Sequence, residues 1–316
     1  MQAAAKPMHL LSLVSGWDGK QEFELIRYLI FRADHAILKT MSSLDSLTPV
    51  PLTLEGSSLL HQMLRVRWPE WRGLPAVRRD QILTEARAAI QQMESQGSAL
   101  FSLLGHKGDL MLVHFRQNFE QLGEAERALQ KLALWDFLEQ TSSYLSVVEL
   151  GLYESTAKVY AGLAERGIEP HTPEWNAEIQ ETLVRQRQAM HPRLFPEMPA
   201  HKYICFYPMD RRRGEDKNWY KVPFEERARQ MGEHGMIGRR YAGEVKQIIS
   251  GSIGLDDWEW GVTLWADDPV SFKKLIYEMR FDEVSAVYAL FGTFYVGLRC
   301  PAAQLGKLFE GEVPQI

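Results

Sequence analysis

The chain has 316 residues, of which 45% are hydrophobic and 24% are charged. This is ordinary globular composition, so it excludes a disordered, collagen-like or low-complexity protein. The 36 Lys and Arg residues against 41 Asp and Glu residues give a formal net charge of −5. An acidic chain of this kind is a poor general binder of nucleic acid or of an anionic membrane.

The cysteine count and the apolar runs narrow the class of protein further. Only Cys205 and Cys300 are present, so no disulfide framework or four-cysteine metal site can form within one chain. No apolar run is long enough to span a bilayer, and the N-terminus shows no cleavage pattern of a signal peptide. We therefore expect a cytoplasmic protein without a membrane span.

Residues 1–53 are predicted to form an N-terminal extension and linker. Residues 22–41 place Phe23, Ile26, Leu29, Ile30 and Ile37 on one helical stripe. A segment rich in Ser, Thr and Pro follows at 42–51 and indicates a linker. Two interpretations stay open for the stripe: an arm that docks on a partner, or a helix that packs on the core of its own chain.

Residues 54–155 are predicted to form a first domain with the order β-α-β-β-α-β. Strands are expected at 59–66, 98–104, 109–115 and 144–152, with helices at 69–95 and 119–137. The turn His106-Lys107-Gly108 joins the two middle strands as a hairpin.

The same order is predicted again in residues 201–316, after a connector at 156–200. Strands are expected at 202–209, 245–250, 259–265 and 286–298, with helices at 224–238 and 270–279. This order is typical of ferredoxin-like units. The predicted fold class is therefore α+β, with two tandem ferredoxin-like domains, in the manner of a dimeric α/β barrel, and an N-terminal helical extension.

Motifs for common nucleotide, zinc-protease and esterase chemistry are absent from the sequence. Among the nine histidines, His234 stands out because Gly235 and Gly238 follow it on a predicted helix and leave room for a flat, bulky group. A lone neutral imidazole suits haem iron, whose other four ligands come from the porphyrin.

A second candidate region begins at Tyr207, at the end of an apolar strand, and continues through Pro208, Met209, Asp210 and the arginines 211–213. A phenol beside cations that hold carboxylates is the functional interpretation, and a solvated basic loop is the simpler one. Arg193, in the segment His-Pro-Arg-Leu-Phe-Pro, is a further candidate clamp for a carboxylate.

Three tryptophans on the predicted hairpin, Trp258, Trp260 and Trp265, either fill the core or wall a porphyrin pocket. The period of two puts Trp258 and Trp260 on the same face of that strand.

These segments resemble the chlorite dismutase superfamily, and in particular its coproheme decarboxylase branch. The similarity is carried by YICFYPMDRRR (203–213), NWYKVPFEER (218–227), the long segment 234–268 and YEMRFDEVSAVYALFGTFYVG (277–297). The first half is similar through SALFSLLGHKGDLMLVHF (98–115) and SYLSVVELGLYE (143–154).

The resemblance implies a fold, a reaction and partners. It implies a homopentamer that converts iron coproporphyrin III (coproheme) to haem b, in the last step of a coproporphyrin-dependent route of haem biosynthesis. Hydrogen peroxide would oxidise two propionates to vinyl groups with release of carbon dioxide. A transient contact with a coproporphyrin ferrochelatase is a further implication.

The resemblance also implies roles for individual residues. His234 would be the axial ligand of the iron, and Tyr207 the catalytic tyrosine that attacks the propionate. The remaining implied residues hold propionates or line the distal side, and they are Arg193, Pro208, Met209, Asp210, Arg211, Gln247 and Ser285.

Two positions bear on the choice within the superfamily. The decarboxylase branch usually has lysine where this chain has Arg211, which keeps the charge but changes the shape. The chlorite-splitting branch usually has arginine at the position of Gln247, so the neutral glutamine favours the decarboxylase. A chlorite dismutase and a non-catalytic haem carrier or sensor are the alternatives, and Glu278 and Glu283 are candidate carboxylates behind His234.

Overall fold

The computed structural model describes residues 50–315. The predicted amphipathic segment 22–41 and most of the predicted extension lie outside this range. The predicted domain boundaries at 54–155, 156–200 and 201–316 remain sequence predictions.

The first half has the predicted order of elements. Its strands are β1 (Thr53–Val66), β2 (Ser98–Leu103), β3 (Leu110–Arg116) and β4 (Leu138–Gly151). Its helices are α1 (Trp68–Gly73), α2 (Ala76–Glu94) and α3 (Phe119–Gln130). The single helix predicted at 69–95 is divided because Pro75, which has no backbone N–H and takes an extended conformation (ψ 145°), precedes α2.

The segment between the halves is mainly helical, with α4 (Tyr153–Glu165) and α5 (Pro173–Leu194). Thr172 caps α5 by accepting a hydrogen bond from Trp175 N, and Pro173 occupies the first turn, where a missing N–H costs nothing. The helix continues past Pro192, so Arg193 lies in its last turn.

The second half repeats the order with β5 (Tyr203–Arg211), α6 (Phe224–Arg240), β6 (Lys246–Gly251), β7 (Trp260–Ala266) and α7 (Pro269–Met279). The last strand predicted at 286–298 is shorter and interrupted, because a π-helical turn (Val284–Tyr288) precedes β8 (Ala289–Phe291) and β9 (Tyr295–Arg299). The Asp268 side chain caps α7 by accepting a hydrogen bond from Val270 N.

The two halves share one antiparallel sheet. Its order is β7-β6-β4-β1-β3-β2-β9-β5-β8, and β7 also pairs with β5, which closes the first eight strands into a barrel. The halves meet at two seams, β4 with β6 and β2 with β9. Within each half the strand order is ferredoxin-like, so the predicted fold class is confirmed.

The alternation of side chains along the strands separates two environments. One set points into the barrel and forms a core from both halves, which includes Leu59, Met63, Phe101, Met111, Val113, Ile204, Phe206 and Trp265. The other set points outward, where helices cover it. In the second half this outer layer contains Cys205, Tyr207 and Met209 of β5, packed with residues of β7 and α7.

The chain end returns to the first half. The short helix α8 (Leu305–Phe309) places Phe309 against Trp71, with ring centroids 4.9 Å apart. This contact joins the outer core of the first half to residues at the C-terminus.

Candidate functional site

His234 lies on α6, and its side chain is 26% exposed. Its Nδ1 is 2.9 Å from Asp282 Oδ2. A carboxylate at this distance takes the Nδ1 proton as a hydrogen bond, so the neutral ring carries its lone pair on Nε2. The imidazole is therefore oriented as a ligand for a metal that approaches from the Nε2 side.

Asp282 is held in turn by the segment that follows α7. Its Oδ1 accepts a hydrogen bond from Ser285 N at 2.7 Å, and the Ser285 hydroxyl is 3.2 Å from Oδ2. Burial raises the pKa of Asp282, but the hydrogen bonds from His234 and Ser285 outweigh burial, and the pKa lies below its ordinary value. Asp282 is thus a fixed anion behind the histidine.

The carboxylates proposed from the sequence for this place are elsewhere. Glu278 pairs with Arg240 and accepts a hydrogen bond from the Tyr241 hydroxyl, and Glu283 pairs with Arg229. Sequence reasoning missed Asp282. The spacing Asp282-x-x-Ser285 was an available signal, because aspartate commonly accepts from a backbone N–H three residues later.

Ser285 lies on the Nδ1 side of the imidazole, 3.4 Å from that atom. It therefore stands with Asp282 behind the histidine. Its implied contact with a propionate remains a prediction.

Tyr207 is 4% exposed in the outer layer of the second half. Its ring stacks on Phe294 at 4.3 Å between centroids, and Phe291 lies 5.7 Å away. Burial, and then nearby Cys205, raise the pKa of the phenol, which the cations Arg280 and Arg211 only partly oppose. The hydroxyl therefore keeps its proton at neutral pH.

The same layer connects Tyr207 to the histidine. The Arg280 guanidinium lies 3.7 Å from the centroid of the Phe291 ring, and two residues later Asp282 holds His234. The segment 280–285 thus contacts His234 through Asp282 and is linked to Tyr207 through Phe291.

Arg211, at the end of β5, is 8% exposed. Its guanidinium lies 5.2 Å from the Trp219 ring, 3.5 Å from Val284 O and 3.5 Å from Met231 Sδ. Within residues 50–315 this guanidinium forms no ion pair with a carboxylate. Burial lowers the pKa of this arginine. Its guanidinium is a buried cation without a carboxylate in direct contact, which is an unfavourable arrangement.

The neighbours of Arg211 have structural contacts. Asp210 Oδ1 accepts a hydrogen bond from Glu259 N, while Pro208 O accepts one from Gly292 N. Met209 is buried in the outer layer and pairs in register with Trp260. These residues fix β5 around Tyr207.

Gln247 lies on β6 and donates a hydrogen bond to Gly238 O at 3.1 Å. A Cβ on Gly238 would come within 3.3 Å of Met279 Cε and 3.5 Å of Gln247 Nε2. The glycine therefore permits the close approach of Gln247 to the helix that carries His234.

Arg193 is exposed in the last turn of α5, and the contact of its guanidinium is with Met190 Sδ at 3.8 Å. Among the described residues, no contact joins Arg193 to Tyr207 or His234. Its role as a propionate clamp remains a prediction of the resemblance.

The tryptophans divide between the two layers. Trp265 is fully buried inside the barrel and Trp258 packs against that core, whereas Trp260 packs in the outer layer with Tyr207. The expected common face of Trp258 and Trp260 is wrong, because β7 begins at Trp260 and the strand alternation does not include Trp258.

The family model for chlorite dismutase matches residues 79–300. The chain belongs to the chlorite dismutase family. Within residues 50–315 no helix has the length and apolarity needed to cross a membrane.

Curated relatives sharpen the resemblance within this family. A coproheme decarboxylase of Staphylococcus saprophyticus is 42% identical over 265 residues, which cover 82% of this chain and 98% of that protein. A protein of Natronomonas pharaonis whose name describes it as heme-binding is 41% identical over 270 residues, 83% of this chain and 42% of that protein. The chain spans about half the length, or less, of the archaeal relatives it matches. The predicted resemblance to coproheme decarboxylases is confirmed.

Solved structures with a similar fold are also found. A heme-binding protein from Thermus thermophilus is similar with a TM-score of 0.70 and 38% identity, over 83% of this chain and 99% of that chain. A chlorite dismutase variant from Candidatus Nitrospira defluvii has a TM-score of 0.60 at 18% identity, over 81% of this chain and 95% of that chain. The second likeness shows the fold alone.

Proposed function

We propose that this protein is a coproheme decarboxylase, which uses hydrogen peroxide to convert iron coproporphyrin III to haem b. The observation that carries the proposal is the pairing of His234 with Asp282 in the half of the barrel that also holds Tyr207. The 42% identical decarboxylase of S. saprophyticus supports the same reaction.

The residues fit an iron porphyrin. An imidazole with Nδ1–H donated to Asp282 offers Nε2 to iron, and one protein ligand suffices where a macrocycle supplies four nitrogens. Within residues 50–315, no group of three His, Cys, Asp or Glu side chains converges as a cage for a free ion. When bound, iron coproporphyrin supplies the iron that reacts with peroxide and is itself the substrate.

The proposed reaction balances for each propionate. The β-carbon loses one hydrogen, the bond to the carboxyl group breaks, and carbon dioxide leaves, so that a vinyl group remains. This is a two-electron oxidation. One hydrogen peroxide takes up the two electrons with two protons and leaves as two molecules of water, so two peroxides are consumed per haem b.

Tyr207 is proposed to remove the hydrogen. Because burial keeps its phenol protonated, oxidation of Tyr207 releases an electron together with the hydroxyl proton. The oxidised side chain then regains both from the propionate β-carbon. Its packing on Phe294 fixes the ring, and such positioning is a large part of the catalytic effect.

Arg211 is proposed to hold a propionate. A buried guanidinium without a carboxylate partner is unfavourable, and a substrate carboxylate would supply the missing negative charge. Arg193, Gln247 and Ser285 are proposed as further substrate contacts on the strength of the resemblance. The same resemblance is the basis for proposing a homopentamer and a transient contact with a ferrochelatase.

The test is a titration followed by mass spectrometry. Coproheme bound to the protein receives hydrogen peroxide in steps, and the porphyrin is analysed after each step. We expect the loss of two carboxyl groups in sequence, ending at haem b after about two equivalents. Coproheme that binds and stays intact would contradict the proposal and favour a carrier or sensor.

Chlorite in place of peroxide separates the two enzymatic alternatives. The neutral Gln247 gives no cation beside the iron for an anionic chlorine species, so we expect no oxygen release on an oxygen electrode. Rapid oxygen release would assign the protein to the chlorite-splitting activity.

A further inference from the structure

A cavity of about 780 Å³ lies in the first half, away from Tyr207 and His234. It opens between the C-terminal part of α2, residues 121–128 of α3, the end of β3 and the segment 195–198. Its walls are largely apolar, with Ala89, Met93, Phe115, Ala125, Ala128, Phe195, Pro196 and Met198. The proposed decarboxylase reaction uses none of these residues.

The volume of the cavity could hold several large apolar side chains. It also lies within the usual range of small-molecule pockets. Among the described residues its only lining cation is Arg116, which already donates to Gln96 O, Phe115 O and Ser98 Oγ. The carboxylates at the cavity, Glu124 and Glu197, are both exposed. An apolar occupant flanked by positive charge therefore fits better than a small anion.

We propose that residues 22–41 of the same chain dock in this cavity as an amphipathic helix. The stripe Phe23, Ile26, Leu29, Ile30 and Ile37 supplies five apolar side chains, a number suited to the volume. Arg27 and Arg32 border the stripe by helical spacing, because they follow Phe23 and Leu29 by four and three residues. The two arginines can pair with Glu124 and Glu197, and Asp34, which follows Ile30 by four residues, also borders the stripe.

The connection is long enough to reach. The described chain is anchored at Leu52, whose N–H donates to Thr156 Oγ1, and Ser57 of β1 is already part of the cavity wall. Residues 42–51 can span roughly 30 Å when extended. The helix can therefore turn back onto the half of the barrel to which its own chain is attached.

The first test uses limited trypsin digestion of the full-length protein. Arg27, Arg32 and Lys39 are cleavage sites within the proposed helix. In the Ala128→Arg variant a long cation occupies the cavity, and we expect cleavage at these sites to become at least tenfold faster. The control is Ala88→Arg, an exposed position of α2 outside the cavity, which should cleave at the wild-type rate.

Equal cleavage rates in the wild type and Ala128→Arg would overturn the docking. A second measurement is independent of that variant. Ile30→Cys combined with Ala128→Cys is oxidised in the full-length chain, whose own cysteines, Cys205 and Cys300, are buried.

A disulfide within one chain is the expected product. The pair Ile30→Cys with Ala88→Cys should give little of it. Crosslinked dimers alone would show that the cavity receives a second copy, and no crosslink at all would show that it receives neither; either result overturns the proposal.

Discussion

The two halves of the barrel have the same strand order but different layers between sheet and helices. In the first half this layer is filled by apolar side chains, among them Leu64, Leu100, Leu110, Leu112 and Leu129. In the second half the layer contains a phenol, a buried guanidinium and a glutamine, and the covering helix carries His234. The fold alone therefore does not determine the chemistry, which depends on side chains present in one copy of the repeat.

Polar groups are also buried in the first half, where His61 Nδ1, Gln62 Oε1 and His114 Nε2 have no hydrogen-bond partner among the described residues. His114 Nδ1 is 2.8 Å from Ser98 Oγ, which also accepts a hydrogen bond from Arg116. In the second half, His234 Nε2 likewise has no hydrogen-bond partner among the described residues, but the His234 side chain is 26% exposed. The difference is one of access, because His61 and His114 are fully buried whereas His234 is partly open to solvent.

The largest expected effect is that of His234→Gln. The variant removes the imidazole that we assign to the iron, so coproheme should lose its histidine-ligated spectrum and bind at least 100-fold more weakly. His114→Gln, in the other half, should leave the spectrum of bound coproheme unchanged. Both are followed by titration of the Soret band, and an unchanged spectrum in His234→Gln would refute the assignment.

Arg211→Leu should affect the protein with and without substrate in opposite directions. Removal of an unpaired buried cation should leave the apo-protein as stable as wild type, or more stable, in urea unfolding. Coproheme should bind about 10- to 100-fold more weakly, because the propionate loses its charge-assisted partner. Arg211→Lys, which restores the residue usual in this branch, should stay within about tenfold of wild type.

If Arg211 only stabilises the fold, the opposite effects on stability and on affinity are expected. In that case Arg211→Leu would destabilise the apo-protein, while the affinity of the remaining folded fraction would not change.

Asp282→Asn should weaken the imidazole as a donor without removing it. We expect the affinity for coproheme to fall about tenfold and the iron reduction potential to become more positive, since the anion behind His234 is lost. The matched control is Glu278→Gln, whose carboxylate pairs with Arg240 instead. Spectroelectrochemistry of both variants measures the difference, and equal potentials would remove Asp282 from this role.

A further prediction concerns stability in acid. Burial lowers the pKa of both His61 and His114 to about 3. Between pH 6.5 and about 3 the unfolded chain therefore binds protons that the folded chain does not, and the free energy of unfolding falls as the pH falls. From pH 7 to pH 5 the loss should be about 2 kcal/mol per histidine.

Urea unfolding at several pH values measures this loss. His61→Phe, which keeps a ring to stack on Phe206, should remove about half of the pH dependence. A slope identical to wild type would show that His61 is protonated in the folded protein.

The sequence predicted the repeat because strand alternation and helical periodicity are local properties. Two departures from the prediction involve proline. Pro75 divides one predicted helix, whereas α5 continues through Pro192. At the site, residue type and local context put forward His234 and Tyr207 as candidates, and the structure places both in the second half of the barrel. Asp282 was missed because its contact with His234 joins residues 48 positions apart, which no periodicity records.

The most direct test of the central claim is Tyr207→Phe. The variant keeps the ring that packs on Phe294 and loses only the hydroxyl. We expect coproheme to bind within about threefold of wild type, whereas formation of haem b with peroxide should slow at least ~100-fold, equivalent to about 2.7 kcal/mol. Tyr203→Phe, on the same strand, should react like wild type. Undiminished formation of haem b by Tyr207→Phe would contradict the claim that this phenol performs the oxidation.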